Sequence, residues 1–251
     1  MKFIALIPAR YGSSRFEGKP LVKILGVPMI ERVYKRVSQV FENVAVATDD
    51  VRIEECVKSF GGNVIMTSES HKSGTDRVAE AHSKAEKLFN TTFDVVVNVQ
   101  GDEPFVSLEQ LNSIKECFDN ETTQIATLVK PFAAGDDIFN ENTPKVVLSK
   151  DSHAIYFSRS VIPFLRGEER ENWSAKHQFF KHIGLYAYKS DVLHQITKLE
   201  MGVLELAESL EQLRWLENGY KVKVAVTNSE THAIDTPEDL AFVEKMYKDK
   251  L

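Results

Sequence analysis

Three apolar runs set the limits on what this chain can become. "FIALIPA" (3–9), "VAVAT" (44–48) and "VVVNVQ" (95–100) are nearly unbroken hydrophobic stretches of strand length. A strand that is apolar on both faces belongs in a parallel sheet covered by helices on both sides, because a half-solvated strand alternates apolar with polar. The intervening segments are helical in period. "PMIERVYKRVSQV" puts Ile30, Val33, Tyr34 and Val37 on one face, "VRIEECVKSF" ends at Gly61-Gly62, and "TDRVAEAHSKAEKLF" precedes the third run. "SLEQLNSIKECF" opens with Ser107 and has Gln110 three residues on, a capping box. The expected fold is α/β, a mostly parallel sheet covered by helices on both faces, and ligands of such sheets bind outside the carboxyl ends of the strands.

After about residue 140 the rhythm changes. "KVVLSK" and "SHAIYFSRS" read as a hairpin, residues 166–178 as a charged irregular stretch, and "KHIGLYAYKS" as a further strand. Helices are expected near 190–198 and 204–217, then the strand "KVKVAV" and a last helix after Thr236. With no repeat and no Pro/Gly linker, the reading is one domain spanning 1–251 with a β-rich insertion at about 140–190.

Composition excludes several classes. A formal charge of −6 argues against nucleic-acid binding, which leaves a basic footprint, so any anion site must gather its cations locally. Cys56 and Cys117 have no CxxC or Cys/His spacing and read as reduced side chains. The apolar run Phe3–Ile7 is five residues long, too short for a signal sequence or a membrane span, so a cytoplasmic enzyme with no membrane insertion is expected.

The cations gather after the first strand. "PARYGSSRFEGKP" (8–20) spaces its glycines like no Walker A loop and has Pro20 where that motif needs a hydroxyl, yet Arg10 to Lys23 holds four cations against one carboxylate, Glu17. Gly12 and Gly18 let backbone N–H groups approach an anion, and Arg and Lys supply charge for phosphate. Two carboxylates fall where a metal would be useful: Asp102 at the end of the third run, and Asp235 before a helix start already explained by Thr236 and Asp239. Such a pair suits Mg²⁺, whose remaining positions go to phosphate oxygens and water.

"RFEGKP" (15–20) resembles the signature of sugar nucleotidyltransferases. With "ATDD" (47–50), "SGTDR" (73–77), "NVQGDEP" (98–104), "YFSRSVIP" (156–163), "KHIGLYAY" (181–188), "LEQLRWLENG" (210–219) and "IDTPEDL" (234–240), the ordered set resembles the 3-deoxy-manno-octulosonate (Kdo) cytidylyltransferase family over nearly the whole chain. The resemblance implies a Rossmann-like nucleotidyltransferase fold. It also implies transfer of CMP from CTP to the anomeric hydroxyl of Kdo, with release of pyrophosphate and formation of CMP-Kdo for lipopolysaccharide biosynthesis.

Residue by residue, the resemblance implies that Ala9, Arg10, Arg15, Lys19 and Arg77 bind CTP. Arg15, Lys19, Asp102 and Asp235 are the implied catalytic set, with Asp102 and Asp235 holding magnesium and a second Mg²⁺ held mainly by the triphosphate. Gln100, Arg159, His182, Tyr186, Glu211 and Gln212 are implied for the sugar, and a homodimer is implied with the β-rich insertion at its interface. Two alternatives stay open: a cytidylyltransferase for another acidic sugar, such as amino-Kdo or sialic acid, and a non-catalytic nucleotide-binding module.

Overall fold

The computed structural model of the chain describes residues 1–12, 16–229, 234 and 236–247. In chain order the elements are β1 (Phe3–Ala9), β2 (Lys23–Ile24), β3 (Val27–Pro28), α1 (Met29–Val37), β4 (Val44–Thr48), α2 (Val51–Ser59), β5 (Val64–Met66), α3 (Gly74–Phe89), β6 (Val95–Asn98) and α4 (Leu108–Glu116). There follow β7 (Ile125–Pro131), β8 (Lys145–Leu148), β9 (Ala154–Ser158), α5 (Trp173–Lys176), β10 (Phe180–Lys189), α6 (Ser190–Ile196), α7 (Val203–Glu208), α8 (Gln212–Glu217), β11 (Val222–Val226) and α9 (Pro237–Tyr247). They gather into two compact units: residues 1–112 with 230–251, and residues 113–229. The stretch expected as an insertion, 140–190, lies inside the second unit, which extends beyond it on both sides.

The first unit is built on parallel pairing. β1 lies between β4 and β6, with Ala5 opposite Val44 and Phe3 opposite Val95, and β5 continues the sheet beyond β4. Ile4 to Ile7, Val44 to Ala47 and Val95 to Val97 are buried, as unbroken apolar runs require. Helix α1 buries Met29, Ile30, Val33 and Val37. Tyr34, expected on that face, is half-buried and spends its hydroxyl on the Asn63 N–H at 3.1 Å. A smaller cluster of Ile24, Met29, Ile234 and Val243, with Phe16 and Leu240 packed against it, ties α9 to the segment that follows the opening loop.

The second unit is mixed. β7 runs parallel to β11 and antiparallel to β10, and β10 meets β8 of the expected hairpin β8–β9. The pairing of β10 with β7 shifts between Ile183 and Tyr186. A second cluster, Ile138, Trp173 and Phe179, anchors the irregular stretch.

Where periodicity failed, local backbone decided. The single helix expected over 204–217 is two helices, because Ser209 turns left-handed at φ 51°. The hairpin β2–β3 is too short to carry a period. Elsewhere the caps fall as read: Ser107 Oγ accepts from the Gln110 amide at 3.0 Å while Gln110 Oε1 accepts from the Ser107 amide at 3.1 Å, and Thr236 and Asp239 reciprocate in the same way. Gln110 is fully buried, so the box at α4 is shielded from water. Ser107→Ala should lower the unfolding free energy by about 1 kcal/mol in urea denaturation, the usual cost of losing a side-chain cap.

Candidate functional site

β6 stops at Asn98, opposite Leu6, so the chain after it runs beside the end of β1 and the loops after the two strands share one rim. Gly101 packs so closely on β1 that a Cβ there would lie 2.9 Å from the Pro8 carbonyl oxygen. That approach seats Asp102 opposite the loop after β1. The chain closes this loop with the Gly18 N–H on the Tyr11 carbonyl at 2.9 Å, turns left-handed at Gly18 (φ 67°), and enters a short 3₁₀ turn beginning at Lys19. Lys19 Nζ then reaches Asp102 Oδ2 at 2.8 Å, with the two side chains 14% and 29% exposed.

These groups line a cavity of about 260 Å³. Its walls hold Ala9 and Arg10 from the end of β1, Lys19 and Pro20 from the 3₁₀ turn, Gln100, Gly101 and Asp102 after β6, and His71 to Gly74 with Arg77 from the start of α3. Six of the residues expected from the sequence, Ala9, Arg10, Lys19, Arg77, Gln100 and Asp102, therefore meet at one place. Arg15 and Asp235 lie outside the described residues. Ile234 donates its N–H to the Asp102 carbonyl at 3.0 Å.

Arg77 is an anomaly of charge, a cation in the first turn of α3, where the helix dipole disfavours it. The chain resolves the anomaly itself. Its guanidinium, 4% exposed, donates to Asp49 Oδ2 at 2.5 Å and to Thr67 Oγ1 at 2.6 Å. Nearby, His71 Nε2 meets the Glu80 carboxylate, which also accepts from the Ser68 amide at 2.9 Å and from Lys84 at 2.6 Å. Burial alone would raise the Glu80 pKa, but these donors outweigh it and hold it at about 2.

The remaining expected residues belong to the second unit. His182 and Tyr186 on β10 share a face, with ring centroids 5.2 Å apart, although the register shifts between them. The ladder steps from Ile183 opposite Leu128 to Tyr186 opposite Thr127, so two extra residues enter and the facing parity survives. His182 Nε2 lies 3.0 Å from Thr127 Oγ1, and burial lowers its pKa to about 4, leaving it neutral near pH 7. Burial likewise pushes the Tyr186 phenol well above its ordinary value.

Gln212, implied for the sugar, is the first residue of α8 and only 5% exposed, with Glu211 just outside the helix. The Tyr186 hydroxyl and Gln212 Nε2 are buried and find no hydrogen-bond partner among the described residues. Arg159 follows β9, and its guanidinium donates to the carbonyls of Glu208, Glu141 and Ser209.

A profile of the cytidylyltransferase family matches residues 4–224. The chain belongs to that family. It is 59% identical over 244 residues to the 3-deoxy-manno-octulosonate cytidylyltransferase of Parabacteroides distasonis, covering 96% of each chain. It is 56% identical over 253 residues to the protein of the same name from Bacteroides thetaiotaomicron, with both chains fully covered. Among solved structures it resembles CMP:2-keto-3-deoxy-manno-octonic acid synthetase complexed with CTP, at 39% identity and a TM-score of 0.90 over the whole of both chains.

Set on this cytidylyltransferase fold, the cavity shows what sequence reading passed over. "SHKSG" supplies His71 to Gly74, although only Arg77 had been singled out there. The signal was present, since this segment follows the carboxyl end of β5 as the other site loops follow theirs. Asp49 had been quoted within "ATDD" without a role.

Two outcomes test the geometry. Gly101→Ala should leave a folded protein whose turnover is about 10- to 100-fold lower, because its Cβ forces Asp102 away from Lys19 and small misplacements of reacting groups are costly; steady-state kinetics beside a thermal melt check this. Glu80, with its folded-state pKa depressed, contributes fully above about pH 4.5 and loses that contribution as pH falls toward about 2. Glu80→Gln should flatten the acid limb of stability over that window, read by urea unfolding at successive pH values.

Proposed function

We propose that this chain transfers CMP from CTP to the anomeric hydroxyl of Kdo, releasing pyrophosphate. One observation carries the chemistry: Arg10, Lys19 and Asp102 converge on one cavity at the carboxyl ends of β1 and β6. The sugar comes from the activity named for relatives that match the whole length of this chain.

The difficulty of the reaction is charge. A triphosphate must meet a sugar acid, and two unit charges 4 Å apart at an effective dielectric near 20 repel by about 4 kcal/mol. Arg10 and Lys19 offset that repulsion on the phosphate side and stabilise charge building up on the departing pyrophosphate. Arg77, already neutralised by Asp49, shapes the wall of the cavity through Asp49 and Thr67. Neutral His182, Tyr186 and Gln212 offer hydrogen bonds to sugar hydroxyls, and Arg159 offers a cation to the sugar carboxylate.

The reading includes magnesium, held by Asp102 and Asp235. The donor chemistry fits: carboxylate oxygens suit a hard ion that takes few protein ligands when phosphate is present. Asp102 already accepts a positive charge, that of Lys19, at 2.8 Å. The Ile234–Asp102 hydrogen bond supports including Asp235, the next residue in the chain. When bound, the metal supplies Lewis acidity toward the α-phosphate and a lowered pKa for the attacking hydroxyl. A second ion held mainly by the triphosphate, a homodimer and a cytoplasmic location complete the reading; among the described residues no helix is long and apolar enough to cross a membrane.

Incubation with CTP, Mg²⁺ and Kdo should release pyrophosphate, and omission of the sugar should abolish release. A panel of sugar acids under the same conditions should favour Kdo, and a preference above about a hundredfold for another sugar would reassign the substrate. Asp102→Asn should lower turnover at least about tenfold while Mg²⁺ is saturating.

A further inference from the structure

Lys145 on β8 is fully buried, and among the described residues its ammonium reaches no carboxylate. It donates instead to two main-chain carbonyls, those of Asn140 and Arg159, each at 2.7 Å. Burial lowers its pKa, while the charges of Asp137 and Glu208 draw it back up. A buried ammonium is costly, and an apolar residue at this position of β8 would pack without that cost. What the lysine does that an apolar residue could not is to join two backbone segments, and both lead to Arg159.

One segment is Arg159 itself. The other carries Asn140 and, next to it, Glu141, whose carbonyl accepts from Arg159 Nη1 at 3.1 Å. A second group works from the opposite side. The Glu208 carboxylate accepts from Ser158 Oγ at 2.6 Å and from the Arg159 N–H at 2.9 Å, while the Glu208 carbonyl accepts from Arg159 Nε at 2.7 Å. Ser209, in its left-handed turn, brings a third carbonyl to Nη2 at 3.4 Å. These bonds use three of the five guanidinium N–H groups and leave one on each Nη without a partner among the described residues, and a carboxylate is the acceptor that can take two such donors at once.

We propose that Lys145 and Glu208 are positioning residues for Arg159, holding its guanidinium ready for the carboxylate of the acidic sugar. This rests on the reading that Arg159 takes that carboxylate. Neither residue needs to touch substrate: Lys145 fixes the main chain that carries the arginine, and Glu208 fixes the backbone and Nε of the same residue. Pre-arrangement of a long, flexible cation raises affinity by removing the freedom it would otherwise lose on binding.

Steady-state kinetics with CTP and Kdo varied in turn separate this from a merely structural role. Lys145→Met keeps an unbranched side chain one atom shorter and removes its donors. It should raise KM for the sugar about tenfold or more, leave KM for CTP within about threefold and largely preserve kcat at saturating sugar. Arg159→Ala tests the underlying reading: an unchanged sugar KM there would sink the assignment of Arg159 and this proposal with it. If Arg159→Ala raises the sugar KM while folded Lys145→Met does not, the reading survives and the positioning role is wrong. The double variant should be no worse for the sugar than Arg159→Ala alone, because residues that act through one another are not additive; full additivity would overturn the proposal. Should Lys145→Met fail to melt cooperatively or to bind CTP by calorimetry, Glu208→Gln decides by the same measurement, with a rise of about threefold in sugar KM alone expected and an equal rise for both substrates refuting it.

Discussion

The parallel register of β1 against β6 is the constraint from which the nucleotide site follows. Because Phe3 faces Val95 and Leu6 faces Asn98, β6 stops while β1 runs on to Ala9, and the chain that leaves β6 passes beside the end of β1. Gly101 exploits this by resting against the Pro8 carbonyl at a distance that no side chain would permit. Asp102 is then close enough for a lysine some eighty residues earlier in the sequence to reach it. The ion pair is partly exposed, so as a stabilising element it is worth little. Its meaning is electrostatic: it sets a cation and an anion side by side in the wall of the cavity, where the proposed polyanion and its counter-ion would exchange with them.

Much of this was legible in the sequence because it is written in local terms. Unbroken apolar runs encode buried parallel strands whatever lies around them, and Ser107–Gln110 and Thr236–Asp239 encode helix starts through bonds three residues long. What escaped depends on geometry that no period records. Ser209 breaks a pattern that reads as a single helix, and Gln212, at the start of the second helix, lies in the interior. Arg77 shows the same limit from the side of charge. It lines the cavity as a CTP-binding residue would, and its protein partners, Asp49 and Thr67, are distant in sequence and show only in the fold. Lys145 gave no signal at all, since a lysine at the start of a strand reads as solvated.

The charged groups at the cavity of the first unit and the neutral groups on β10 and α8 are held differently, although Asn98 Oδ1 at the end of β6 is also buried without a partner among the described residues. In the first, the site residues are paired with one another: Lys19 with Asp102, Arg77 with Asp49, His71 with Glu80. In the second, the Tyr186 hydroxyl and Gln212 Nε2 are buried without a partner among the described residues, which native interiors seldom tolerate because each such group forfeits its bonds to water. Aromatic packing maintains them there, with Trp215 set edge-to-face against both Tyr186 and Tyr188. Unspent hydrogen-bonding capacity in a rigid aromatic frame is suited to a ligand rich in hydroxyls, whereas paired charges that can exchange are suited to phosphate.

That contrast bears on how one chain can accept two anions. Its overall charge of −6 opposes both of them at long range, and screening over about 8 Å at physiological salt confines that opposition to the surroundings. Inside that distance the local arrangement decides. On the nucleotide side Arg10 and Lys19 stand at the mouth of a cavity, where charge can be compensated by exchange. Around His182 the imidazole is held neutral by burial, and on the proposed reading the cation for a sugar acid is Arg159, which cannot lose its proton and whose guanidinium is braced by carbonyls. A guanidinium tied only to carbonyls keeps its full positive charge for the ligand. Bracing by main-chain dipoles thus orders the arginine without cancelling the charge that makes it useful.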